Sequence, residues 1–247
     1  FYVLGMWMGF NSTSSADLDD IVSMNCNAIR HPHSGTSLSG NTRIPSSWWS
    51  ALESRNLKAL VNLYEIVDQV LNLPMAPSEP HLKMLLEPYV EPIKNNSSLL
   101  GYELLDEPSY DPETGYRLRA IQQVIHRLDP EHPSVPVLIG YGSRLSGYTS
   151  DLQPHQLLLD VYPCNPDTQP GDFRNIWGYQ DLTMMEYVDY AMAFVEPREV
   201  PTWIIHQGHN FSDLLREPTP EEIRLQVWLN LSRAIKGSFF FIYETQQ

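Results

Sequence analysis

Eight short apolar runs, each followed by a longer amphipathic or loop-like stretch except the last, recur from one end of this chain to the other, and that alternation is what most limits its fold. The runs are FYVLGMWMG, NAIRHP, LKALVNLYE, LLGYELLDEP, VPVLIGYG, LLLDVYP, VPTWIIHQGH and SFFFIYET. The stretches between them have helical spacing. Residues 15–24 carry Leu18, Ile21 and Val22; PSSWWSALESRN, residues 81–94 and LTMMEYVDYAMAFV read as helices; TGYRLRAIQQVIHRLDP is helical up to its stop at Pro130. TPEEIRLQVWLNLSRAIKG opens with a Thr cap and acids in its first turn. Only SRLSGYTSDLQPHQ, between the fifth and sixth runs, looks more like a loop with a short helix.

Strands separated by helix-length connections predict a parallel sheet with crossover helices. Eight of them in 247 residues give the count and size of a (β/α)8 TIM barrel, an α/β fold, as one domain over residues 1–247. An open doubly wound sheet is the structural alternative, but no Gly-rich phosphate loop follows any of the runs. The chain as given stops straight after the eighth run, so the helix that usually closes such a barrel is expected to be absent from it.

A net charge of −14 argues against nucleic acid and against an anionic membrane surface as partners. No run approaches the roughly 20 apolar residues that span a bilayer, and the first ten residues lack the basic flank of a signal peptide. The expectation is a soluble chain, mature or trimmed. Cys26 and Cys164 lie far apart and form no ligand-spaced pair, which reads as two buried small hydrophobes. Asn-x-Ser/Thr triplets begin at Asn11, Asn95, Asn96, Asn210 and Asn230, and on these rests the expectation of a secreted or extracellular protein.

In this fold the strand C-termini and the loops after them build the site. Those ends supply Trp7; Arg30, His31 and His33; Glu65; Asp106 and Glu107; Tyr141; Asp160 and Tyr162; His206, Gln207 and His209; and Tyr243 with Glu244. Asp106 and Glu107 end an apolar run at Pro108, where partial desolvation and mutual repulsion raise a carboxyl pKa and make a proton donor near neutral pH. The plainer reading is that both acids cap the following helix. Adjacent strand residues point opposite ways, so only a bend would turn both inward. Glu103 shares the side-chain parity of Glu107 but sits deeper, where Arg30 would satisfy it. Asp160 and Tyr162 share one face by the same period-two argument. Trp7 is the best-placed aromatic platform for a sugar ring.

The order of NAIRHP, LLGYELLDEP and LLLDVYP resembles the large clan of TIM-barrel glycoside hydrolases that includes the cellulase-like and β-galactosidase-like families. The resemblance implies that Arg30 orients the site, Glu107 is the general acid/base, Asp106 replaces the Asn that binds the sugar's 2-position, and Tyr162 matches the Tyr ending strand six. It implies a carbohydrate substrate and no cofactor. The seventh run departs from the pattern: TWIIHQGHN puts Gln207 where the clan carries its nucleophilic Glu, and a neutral amide cannot form a glycosyl ester. Four explanations stand. Gln207 replaces a Glu by engineered substitution; the second carboxylate is Glu244 or Asp160; Asp106 and Glu107 work through the substrate's acetamido group, as in the N-acetylhexosaminidases that DE at this place resembles; or hydrolysis is lost and sugar binding kept. The substrate-binding set is then Trp7, Arg30, His31, Tyr162, His206, Gln207 and Tyr243. From another class, His31, His33, His206 and His209 have spacing suited to one ion, as in a metal-dependent TIM-barrel hydrolase; a non-catalytic carbohydrate-binding barrel is the third reading.

Overall fold

The computed structural model describes residues 2–8, 14–31, 44–108, 111–138, 143–167, 169–171, 173, 183–210 and 214–243. Its strands are β1 (Val3–Met8), β2 (Ala28–Arg30), β3 (Lys58–Asn62), β4 (Leu99–Asp106), β5 (Ser134–Leu138), β6 (Leu157–Val161), β7 (Thr202–Gln207) and β8 (Gly237–Tyr243). All pair parallel to their sequence neighbours, and β8 closes on β1, giving a barrel in the order β1 to β8. The helices are α1 (Ser15–Ser23), α2 (Ser46–Glu53), α3 (Tyr64–Leu71), α4 (Glu79–Val90), α5 (Pro112–Leu128), α6 (Ser143–Asp151), α7 (Met184–Val195) and α8 (Pro220–Leu231), with a 3₁₀ turn at Glu196–Arg198. The eight-stranded α/β barrel expected from the alternation is what forms.

Local chemistry explains most boundaries. Ser14 with Asp17, Thr183 with Glu186 and Thr219 with Glu222 form reciprocal capping boxes that start α1, α7 and α8. Asp111 caps α5, whose inner stripe of Leu118, Ile121, Val124, Ile125 and Leu128 is buried against the sheet. Each such side chain contributes roughly 1.5–3 kcal/mol relative to exposure. One element departs from the sequence reading. The third run was read as strand through Glu65, but β3 ends at Asn62 and α3 begins at Tyr64. The Asn62 side-chain oxygen accepts from the Tyr64 N–H at 2.5 Å, and Ile66, Val67 and Val70 then bury at helical spacing.

Alternate strand residues fill the barrel. Val3, Ala28, Leu60, Val135, Val137, Leu158, Trp203, Ile205 and Phe239 form an inner cluster, separate from the larger core between sheet and helices, with Trp7 and Tyr162 at its upper end. The described chain ends with β8. On the outer side of the β8–β1 junction Leu4, Met6, Phe240 and Ile242 line a depression bordered by Trp228 of α8. No helix of the described residues is long and apolar enough to cross a membrane.

Candidate active site

The deepest polar layer above the inner cluster is an ion pair. Arg30 donates from Nε to Glu103 Oε2 at 2.6 Å and from Nη2 to Oε1 at 2.8 Å, with Asn62 Nδ2 adding a third bond at 3.3 Å. Both partners are buried. The guanidinium lies 4.1 Å from the Trp7 ring centroid, so it covers one face of that indole. At 4 % exposure Trp7 is part of the barrel filling rather than an open platform. The period-two rule could have added Asn62, because it lies two residues beyond inward-facing Leu60.

Above this layer β4 changes register. Glu103 is opposite Val135 and Asp106 opposite Val137, so three steps on β4 match two on β5. This is a bulge, with one residue too many on β4. Leu104 and Leu105 accordingly both join the outer core. Glu103 and Asp106 therefore both turn inward, which strict alternation forbids. Glu107 follows with φ of 45°, in the left-handed region, while its N–H bonds to the Val137 carbonyl at 3.1 Å. That twist carries its side chain to β6. The bend that would turn both acids toward the mouth is thus present, and neither acid caps α5, where Asp111 does so.

Glu107 meets Asp160. The two carboxyls are in hydrogen-bond contact, and Tyr162 donates its hydroxyl to Asp160 Oδ2 at 2.8 Å. Asp160 Oδ1 is buried and receives no N–H or O–H donor among the described residues. Burial first, and then the Glu107 and Asp106 charges, hold the Asp160 carboxyl well above its usual range, with the Tyr162 hydroxyl opposing. Burial, Asp160 and the other two acids likewise keep the Tyr162 phenol protonated. Desolvation, then Glu103, pushes Asp106 up to about 7, against the pull of Arg30 and with a further push from Glu107. The Asp106 side chain remains open to water, which limits the desolvation, so the upward direction is what its position supports. His209 completes this wall, edge-on to Tyr162 with centroids 5.3 Å apart and donating from Nδ1 to the Phe241 carbonyl at 2.8 Å.

Other sequence-derived positions go elsewhere. Gln207 has no exposed surface. Its Oε1 accepts from the Cys164 N–H at 2.7 Å, and its Nε2 donates to the carbonyls of Arg216, His209 and Cys164 at 2.8, 3.1 and 3.3 Å. The amide stitches the loops after β6 and β7 together and is fully used. His206 points outward toward α8: Asn230 Nδ2 approaches its Nδ1 at 3.4 Å, leaving Nε2 to donate to Ser238 Oγ at 2.8 Å. Burial lowers its pKa to about 3. His31 packs edge-on against Trp48 of α2 at 4.9 Å. His206 thus packs toward α8 and His31 toward α2. Among the described residues no group of three His, Cys, Asp or Glu side chains is placed to hold a metal. His33, Tyr141 and Glu244 lie outside the described residues, and Tyr243 is described by its backbone, ending β8.

No family model matches this chain, and no curated protein matches it by sequence. Solved structures do match in fold, and those compared are TIM-barrel glycoside hydrolases. A β-galactosidase from the psychrophilic Marinomonas ef1 superimposes with TM-score 0.66 at 10 % identity over 98 % of this chain and 54 % of its own. The endo-1,4-β-D-mannanase of Thermotoga petrophila RKU-1 gives 0.65 at 11 % identity over 98 % and 88 %. A family 39 glycoside hydrolase from Bacteroides cellulosilyticus WH2 gives 0.66 at 14 % over 97 % and 56 %. The chain thus spans about half the length of the first and third of these. At such identities the likeness is one of fold.

Proposed function

We propose that this barrel is a glycoside hydrolase in which Glu107 is the general acid/base. The observation that carries this reading is the convergence of Glu107, Asp106, Asp160 and Tyr162 at the strand C-termini, above the Arg30–Glu103 pair. The fold shared with glycosidases adds to it. Glu107 stands where β4 opens to the mouth, half-buried, and there protonates the glycosidic oxygen of an oligo- or polysaccharide. The hydrogen bonding of Asp160 with Glu107 speaks for another residue as the partner across the sugar. Carboxyls that straddle a glycosidic bond are about 5–5.5 Å apart in retaining enzymes and about 6.5–9.5 Å apart in inverting ones, and hydrogen-bond contact is closer than either. The second group is then Glu244, following the end of β8, or the substrate's own 2-acetamido group steadied by Asp106. The inward turn of Asp106 at the bulge favours considering the latter.

Glu107→Gln tests the reading. Turnover on chromogenic glycosides should fall about 10²–10⁴-fold, with the thermal midpoint within a few degrees of the parent. Full activity in that variant would remove Glu107 from the chemistry. A panel pairing plain glucosides and galactosides with their 2-acetamido counterparts separates the routes: cleavage of acetamido sugars alone assigns the substrate-assisted one, and cleavage of plain sugars alone excludes it.

A further inference from the structure

Helix α8 turns the usual arrangement of a barrel helix inside out. Its buried stripe is polar: Glu222 accepts from Arg216 at 2.6 and 2.8 Å, Gln226 exchanges two bonds with the Gln207 backbone at 3.1 and 3.2 Å, and Asn230 reaches His206. Spaced four residues apart on a neighbouring stripe, Ile223, Val227 and Leu231 face the depression over β8 and β1 instead. Among the described residues no helix follows β8 to cover that stretch. The depression encloses about 490 Å³. Trp228 stands at its border with 69 % of its surface exposed, and Leu231 and Met24 are exposed beside it. Contiguous apolar surface of this kind on a soluble domain marks a place where another protein surface packs.

We propose that this face pairs two copies of the chain about a twofold axis, each Trp228 seated in the other copy's depression. Shape and charge both select a second copy as the occupant. A twofold contact needs a patch that fits itself, and here projection and recess lie side by side, so one rotation seats both indoles at once. The recess is of a size that takes ring-shaped groups. Trp228 alone offers roughly 150 Å² of the about 800 Å² per partner that a standard interface removes from water, and the apolar walls with Met24 and Leu231 extend the contact. The chain carries a net charge of −14, yet no carboxylate among the described residues lines the depression, and Arg224 is the one charged residue at it. Two acidic copies repel over most of their surfaces. Here they close without bringing acids together. The pairing does not rest on the hydrolase reading.

Sedimentation equilibrium of the 247-residue chain, from micromolar to sub-millimolar concentration, tests the pairing. The mass should rise reversibly from 28.4 kDa to twice that value. Trp228→Ala should raise the dissociation constant at least about thirtyfold, the loss expected for a central interface aromatic. Its melting curve should stay that of the parent, because so exposed a side chain packs little within one copy. Leu231→Glu on the same face should act likewise, whereas Met75→Glu, at a side chain 80 % exposed after α3, should leave association unchanged. Added salt should tighten the pair by screening the like charge of the two copies. A chain that stays at 28.4 kDa throughout overturns the proposal and leaves the face to a helix following β8 or to a different protein. Association that survives both Trp228→Ala and Leu231→Glu unchanged overturns it as well, since the contact then lies elsewhere.

Discussion

Arg30 and Glu103 are the residues on which the floor of the site depends, and their arrangement carries a large cost if broken. Both are buried, and the Arg30 guanidinium directs two bonds at Glu103 while stacking over Trp7. Removing one member of a buried pair strands the other charge and costs about 3–5 kcal/mol. Arg30→Met should lower stability by that order in urea denaturation, and adding Glu103→Gln should restore most of it, because the stranded carboxylate is then gone. Independent, additive losses would show that the pair is not coupled. This pairing was legible in the sequence, since parity sends Glu103 inward at the depth of Arg30. Gln207 and His206 were not. Their place at the end of β7 suggested substrate contacts, but the groups that consume them, the carbonyl of Arg216 and the side chains of Asn230 and Ser238, come from distant residues that periodicity does not bring together.

At the scale of elements, the apolar runs and caps were enough to locate all eight strands, because a barrel strand is apolar on both faces and a capping box is local. The bulge in β4 was invisible for the same reason: Leu104 and Leu105 are both apolar, and no alternation exists from which an extra residue could be seen to depart. Yet the bulge and the turn after it place the acids. Glu107 is held at φ of 45°, a conformation that costs a non-glycine residue about 1–2 kcal/mol. Glu107→Gly should therefore be more stable than Glu107→Ala by about 1 kcal/mol, as glycine alone adopts that φ freely. Equal stabilities would mean that the strand end relaxes and that the twist is not imposed by the barrel.

Across the whole molecule the buried titrating groups pull stability in opposite directions with pH. Asp160 is held well above the ordinary 3.8, so the stability tied to its protonated form is complete below that value and is lost as pH rises beyond it. His206 is lowered from 6.5 to about 3; its contribution is complete above 6.5 and drains away as pH falls. Glu222 is lowered from 4.5 to about 2, chiefly by its bonds to Arg216, so its share is lost as pH falls below 4.5. One proton of difference between folded and unfolded states gives a slope of about 1.4 kcal/mol per pH unit. Between 4.5 and 6.5 the slopes of Asp160 and His206 have opposite sign. Asp106, also raised, adds to the slope of Asp160, so stability against urea should lean toward the acid side of that window. Above 6.5 His206 no longer opposes the raised carboxyls, Asp106 among them, and stability declines; below 4.5 Glu222 adds to His206 and it declines again. Asp160→Asn should flatten the alkaline decline while leaving the acid one in place. An alkaline decline that survives this substitution unchanged would mean that burial does not hold the Asp160 carboxyl in its protonated form.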